Sequence, residues 1–116
     1  MKQDNEFAGA WELVHGYAID EQGVKLEYSQ SNMKAQKILS NNRYCFVSMN
    51  DKGFYAAASG RYELEGNTYT ERAEAASYAS MIGARFQFEY EISDGVWTNR
   101  RWKDGAIVEY EEWKRV

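Results

Sequence analysis

A chain of 116 residues has room for one domain of ordinary size and can bury a core without disulfides or metal. Its net charge of −4 and pI near 5.0 argue against a general nucleic-acid binder, which carries a basic face, and Lys and Arg form no run longer than a pair such as Arg100-Arg101. The single cysteine, Cys45, rules out an internal disulfide, and no apolar run reaches the roughly 18 residues of a membrane span, so no membrane insertion is expected.

The start, MKQDNEFAGAW, lacks the apolar core of a signal peptide. A soluble, cytoplasmic protein is the expectation. The first strand is predicted over Gly9–Tyr17, with Gly9, Trp11, Leu13, His15 and Tyr17 on one face. The polar stretch AIDEQGVKLEYSQS follows as a loop or weak hairpin. Met33–Leu39 and Arg43–Met49 read as strands joined at Asn41-Asn42, and Asn50–Gly53 as a longer hairpin loop. Phe54–Glu65 places Phe54, Ala56, Ala58, Gly60, Tyr62 and Leu64 together; its small residues suit either close approach of a neighbour or space for a ligand. Gly66-Asn67 leads into Thr68–Ala75, with Tyr69, Glu71 and Ala73 on one side.

Ala75–Gly83 is rich in Ala and Ser and reads as a short helix, a lid with Tyr78, Met81 and Ile82 turned inward, or a plain connector. Ala84–Ser93 alternates cleanly, with Phe86, Phe88, Tyr90 and Ile92 opposed to Arg85, Gln87, Glu89 and Glu91. Asp94-Gly95 and Asp104-Gly105 separate it from Val96–Lys103 and Ala106–Arg115. Such pairs accept positive φ and close two-residue hairpins whose twist matches the flanking strands. Pro is absent and aromatics make up 16 % of the chain, so long ladders with a bulky inner face are favoured. The fold class is all-β: an antiparallel up-and-down meander of about eight strands in one domain, closed into a barrel that removes exposed edges. A barrel of that size is filled by side chains or holds one small ligand.

Gly9-Ala10-Trp11 opens the first strand, and Trp113-Lys114-Arg115 closes the last. This pattern resembles the calycin signature of lipocalins and their small bacterial lipocalin-like relatives of unassigned function. GRYELEGNTYTE and EYEEWKRV add to the likeness. The resemblance implies that Gly9, Trp11 and Arg115 form a structural signature. Trp11 would plug the closed end with Arg115 or Lys114 stacked over its face. The chain lacks the long C-terminal helix of full lipocalins and the helix-turn-helix lid of fatty-acid-binding proteins.

The expected function is noncatalytic binding of a small apolar or amphipathic molecule inside the barrel. The expected lining is Tyr17, Phe46, Tyr62, Phe88, Tyr90 and Tyr110, with His15 and Glu71 as polar contacts. His15, the only histidine, also reads as a structural residue near the mouth; with no second His, zinc has little support. Glu71, if inside, needs a partner such as Arg100 or His15. Cys45 reads as a small buried filler. Either Trp97, Asn99 and Arg101 or Thr98, Arg100 and Trp102 face inward, and Glu109, Glu111 and Glu112 read as a solvated outer face. No catalytic residue, cofactor or metal is expected. The rival classes are an enzyme acting on a lipid-like substrate in the same cavity, with His15 or Glu71 facing it, and a filled barrel acting through its outer surface as a homodimer.

Overall fold

The computed structural model describes residues 6–116. Residues 1–5, part of the start that reads as free of a leader, lie outside them. Nine strands follow one another: β1 Gly9–Ile19, β2 Lys25–Glu27, β3 Lys34–Ser40, β4 Arg43–Asn50, β5 Gly53–Glu65, β6 Thr68–Ala76, β7 Arg85–Ser93, β8 Val96–Lys103 and β9 Ala106–Arg115. Every pairing is antiparallel, from β1–β3 through β8–β9, and β1 returns to pair β9. Eight strands therefore close into a barrel, and the short β2 pairs only with the far end of β1. The predicted architecture holds, with one extra strand outside the barrel wall.

The turns work as their residues require. Asn41 and Asn42 both have positive φ, as do Asp94 with Gly95 and Asp104 with Gly105. These are two-residue hairpins whose central pair tolerates the left-handed region. Asn50 and Gly53 pair with each other, so the loop between β4 and β5 is tighter than the sequence suggests. Ala75–Gly83 is not an α-helix: β6 runs to Ala76, and one 3-10 turn, Ala79–Met81, follows.

Aromatics fill the closed end. Phe7, Trp11, Tyr69 and Trp97 are fully buried. The Phe7 ring lies 5.0 Å from Tyr69, 4.7 Å from Trp97 and 4.9 Å from Tyr90, mostly edge to face, the geometry that the ring quadrupole favours. The Trp11 indole donates to the Phe7 carbonyl at 3.0 Å. Arg115 lies 4.2 Å over the Trp11 ring, and its guanidinium donates to the carbonyls of Ala8 and Glu6. Gly9 allows this closure. Its φ is +125°, and a Cβ there would lie 2.9 Å from the Arg115 guanidinium.

Bulges decide which side chains reach the interior. Between Leu13 and His15 the β1–β9 register slips by one residue. Such a slip exchanges the faces of all that follows. Gly16 and Ala18 therefore turn inward, and His15 and Tyr17 turn out. A second slip, at Met49 against Phe54, leaves Phe54 58 % exposed rather than in line with Ala56 and Ala58. A third, between Ser59 and Gly60, carries the β5–β6 ladder past a point of close approach.

Candidate functional site

Above the aromatic plug the barrel is hollow. A cavity of about 580 Å³ opens at the end opposite Trp11. That is within the range of about 300–1,000 Å³ common for small-molecule sites. Leu13, Ala35, Phe46, Phe86, Phe88 and Trp113 give it apolar walls. Leu26, Tyr28, Ser31, Asn50, Tyr55 and Met81 stand around its mouth.

The floor carries an ion pair. Alternation along β3 turns Ala35, Lys37 and Leu39 inward, and alternation along β6 does the same for Tyr69, Glu71 and Ala73. Lys37 Nζ lies 2.6 Å from Glu71 Oε2, with the two side chains 5 % and 7 % exposed. The Tyr69 hydroxyl donates to the same oxygen at 2.7 Å. Lys37 also stands 4.7 Å from the Trp113 ring and 5.0 Å from the Trp97 ring. Burial alone would lower the Lys37 pKa, but Glu71, Glu111 and Glu109 outweigh it and hold it above its ordinary value. Lys37 is therefore charged. Burial and Glu71 push the Tyr69 phenol up, so it stays a donor.

Two more carboxylates enter from β9, where Glu109 and Glu111 share the inner face with Trp113. Glu109 Oε1 accepts from Arg101 Nε at 2.9 Å. Glu111 Oε1 accepts from the Trp113 indole at 3.0 Å. Burial first, and then the neighbouring Glu109, lift the Glu111 pKa from 4.5 to about 7, against the opposing pull of Lys37. Directly across from Glu111, Asn99 is fully buried; its Oδ1 accepts from Trp97 at 2.7 Å, and its Nδ2 has no partner. Among the described residues no group of three His, Cys, Asp or Glu is close enough to hold a metal ion.

At the mouth, Tyr28 sits on the 3-10 turn Tyr28–Ser31. Its ring packs on Gly16, where a Cβ would come within 3.0 Å of the ring and 2.5 Å of the Tyr110 carbonyl. Glycine is thus the residue that lets the lip fold inward. Burial, then Glu111 and Glu109, push the Tyr28 phenol well above its ordinary range, so its hydroxyl stays protonated facing those carboxylates.

The predicted lining divides into three groups. Phe46, Glu71 and Phe88 border the cavity. Tyr62 and Tyr90 belong to the plug, against Phe7. His15, Tyr17 and Tyr110 are corrected to the outer surface: the bulge after Leu13 reverses β1, and on β9 Glu109, Glu111 and Trp113 take the inner face, which leaves Tyr110 outside. There the Tyr17 and Tyr110 rings stack at 5.7 Å, and His15 meets Tyr110 edge-on. Glu71 finds Lys37 rather than His15 or Arg100. Cys45 is exposed, since Tyr44 and Phe46 take the inner side of β4. Glu109 and Glu111 are inside, not on a solvated face. The ambiguity on β8 resolves with Trp97 and Asn99 inward. Of the lid contacts only Met81 lines the cavity; Tyr78 and Ile82 are exposed, and the Tyr78 hydroxyl donates to the Tyr55 carbonyl at 2.9 Å.

Lys37 and Phe7 have no reading from sequence as site residues, and Glu111 reads there as part of an outer face. Lys37 had a signal: it alternates in phase with Ala35 and Leu39. Glu111 had a fainter one, two residues before the inward Trp113. Phe7 had none, because it precedes the first strand.

The chain belongs to a family described as a domain of unknown function (DUF4488), whose profile matches residues 6–116. Among solved structures it is similar to an uncharacterized protein from Bacteroides eggerthii DSM 20697. The TM-score is 0.57 at 15 % identity, over 96 % of this chain and 100 % of that one, a likeness of fold alone. No curated protein matches the chain. Among the described residues no helix is long and apolar enough to cross a membrane.

Proposed function

We propose that this member of the DUF4488 family is a lipocalin-like barrel that binds one small apolar or amphipathic molecule in its cavity, without catalysis. The observation that carries the reading is the hollow itself. An eight-stranded barrel with 16 % aromatics has the material to fill its whole interior, yet its aromatics concentrate at one end and leave about 580 Å³ open at the other. Apolar walls supply affinity by desolvation, and the few polar groups on the floor fix orientation. The Gly9–Trp11–Arg115 closure supports placing the barrel with the calycins, where the same three residue types seal the same end. The enzymatic alternative loses its histidine, because His15 is outside, and Glu71 is occupied by Lys37 and Tyr69.

Native mass spectrometry of the protein mixed with a panel of small apolar and amphipathic molecules tests this reading. Adducts of one molecule per chain that vanish in Ala35→Phe are expected. No adduct, or adducts indifferent to that substitution, overturns it.

A further inference from the structure

Four carboxylates border the cavity: Glu27, Glu71, Glu109 and Glu111. Three have a cation beside them. Glu27 pairs with Lys25 at 3.2 Å, Glu71 with Lys37 at 2.6 Å and Glu109 with Arg101 at 2.9 Å. Glu111 has no cation at ion-pair distance among the described residues, and receives only the Trp113 N–H. It is the surplus charge of the cavity, set at its inner wall rather than in solvent. A buried charge without a counter-charge is costly. Asn99, across the strand from Glu111, is fully buried behind the cavity wall and is not one of its lining residues. Among the described residues the lining carries four carboxylates and one cationic side chain, Lys37, so what the cavity lacks is positive charge.

We infer that the ligand is an amphipathic amine whose ammonium is held by Glu111 and whose apolar remainder lies against Leu13, Phe46, Phe86 and Phe88. This rests on the cavity-binding reading above and specifies its ligand class. An ammonium supplies the counter-charge and up to three donors. A carboxylate ligand would instead add to an excess of negative charge. The other groups facing Glu111 are Glu109 and Trp113 on its own strand, Asn99 and Arg101 from β8, Lys37 from β3, Glu71 from β6 and Tyr28 from the lip. Lys37 and Arg101 are each committed to another carboxylate, so neither displaces the ammonium. The raised Glu111 pKa agrees: the empty site takes up a proton where the filled one takes the amine.

The test uses three probes with one chain and different heads, decylamine, decanol and decanoate, titrated into the intact protein and followed by calorimetry. At about pH 8.5, where Glu111 is ionised and the amine still charged, decylamine should bind about tenfold more tightly than decanol, with decanoate weakest. At about pH 5.5 the amine's advantage should fall toward parity as Glu111 protonates. Glu111→Gln, its fold checked by circular dichroism, should lose that advantage and keep its affinity for decanol. The wild-type comparison at the two pH values stands even if the variant does not fold. Equal or tighter binding of decanoate, or an amine advantage that survives in Glu111→Gln, overturns the inference. Decanol binding with no head-group preference overturns the inference alone. Failure of all three probes overturns the cavity-binding reading with it.

Discussion

Lys37 and Glu71 form an ion pair 2.6 Å long inside the barrel, and the Tyr69 hydroxyl closes on the same carboxylate oxygen. The pair spans β3 and β6, which are not neighbours in the sheet. It therefore links opposite walls beneath the cavity.

Removing one partner should cost more than removing both. Lys37→Met leaves the buried Glu71 without its cation, and a loss of about 3–5 kcal/mol is expected. The double variant Lys37→Met with Glu71→Leu should recover most of that loss, because two apolar side chains of similar volume need no partner. Urea unfolding of the two variants against wild type checks the order. A double variant no more stable than the single one would contradict it.

Glu111 makes stability depend on pH in a defined direction. Its folded pKa of about 7 lies above the unfolded 4.5, so folding favours the protonated carboxyl. That contribution is fully present below about 4.5 and is lost as pH rises through about 7. Glu111→Gln removes the dependence. The variant should gain roughly 1–3 kcal/mol over wild type at about pH 8, and the gain should vanish near pH 4.5. Thermal melts of both proteins across that window give the answer. A gain that grows toward acid would have the wrong sign.

Arg115 acts on the closed end through Trp11 and two backbone carbonyls. Arg115→Ala should lower stability by about 2 kcal/mol, from the lost cation–π contact and the freed carbonyls. Arg115→Lys should recover only part, since an ammonium lacks the flat fork that stacks and bonds together. Gly9→Ala should be damaging for a different reason, strain at φ +125° and contact with the guanidinium. Denaturant midpoints of the three variants measure these effects.

The architecture was legible because it rests on local chemistry. Asn41-Asn42, Asp94-Gly95 and Asp104-Gly105 state their turns in two residues, and turns fix which strands pair. The closure over Trp11 was legible only through the calycin resemblance, which implied Arg115 or Lys114 over its face; the structure puts Arg115 there. The lining was not, because it depends on bulges. An extra residue after Leu13 reverses every side chain beyond it, and nothing in LVHGY marks that position as a bulge. His15 and Tyr17 go to the wrong face for this reason, and Tyr110 does so because Glu109 and Glu111 read as the outer face of β9. Glu109 and Glu111 were misread by composition: a run of acids usually means solvent, and only the position of Trp113 contradicts it. Lys37 has no reading from sequence, although its alternation with Ala35 and Leu39 places it inside.

The central claim is that the hollow above Lys37 and Glu71 takes a small molecule. Its most direct test is an equilibrium titration of 1-aminoanthracene into wild type and Ala35→Phe, following the probe's fluorescence. The account predicts saturable binding of one probe per chain to wild type, displaced by decylamine, and none to a folded Ala35→Phe. No saturable signal with wild type, or equal binding to both proteins, would contradict it.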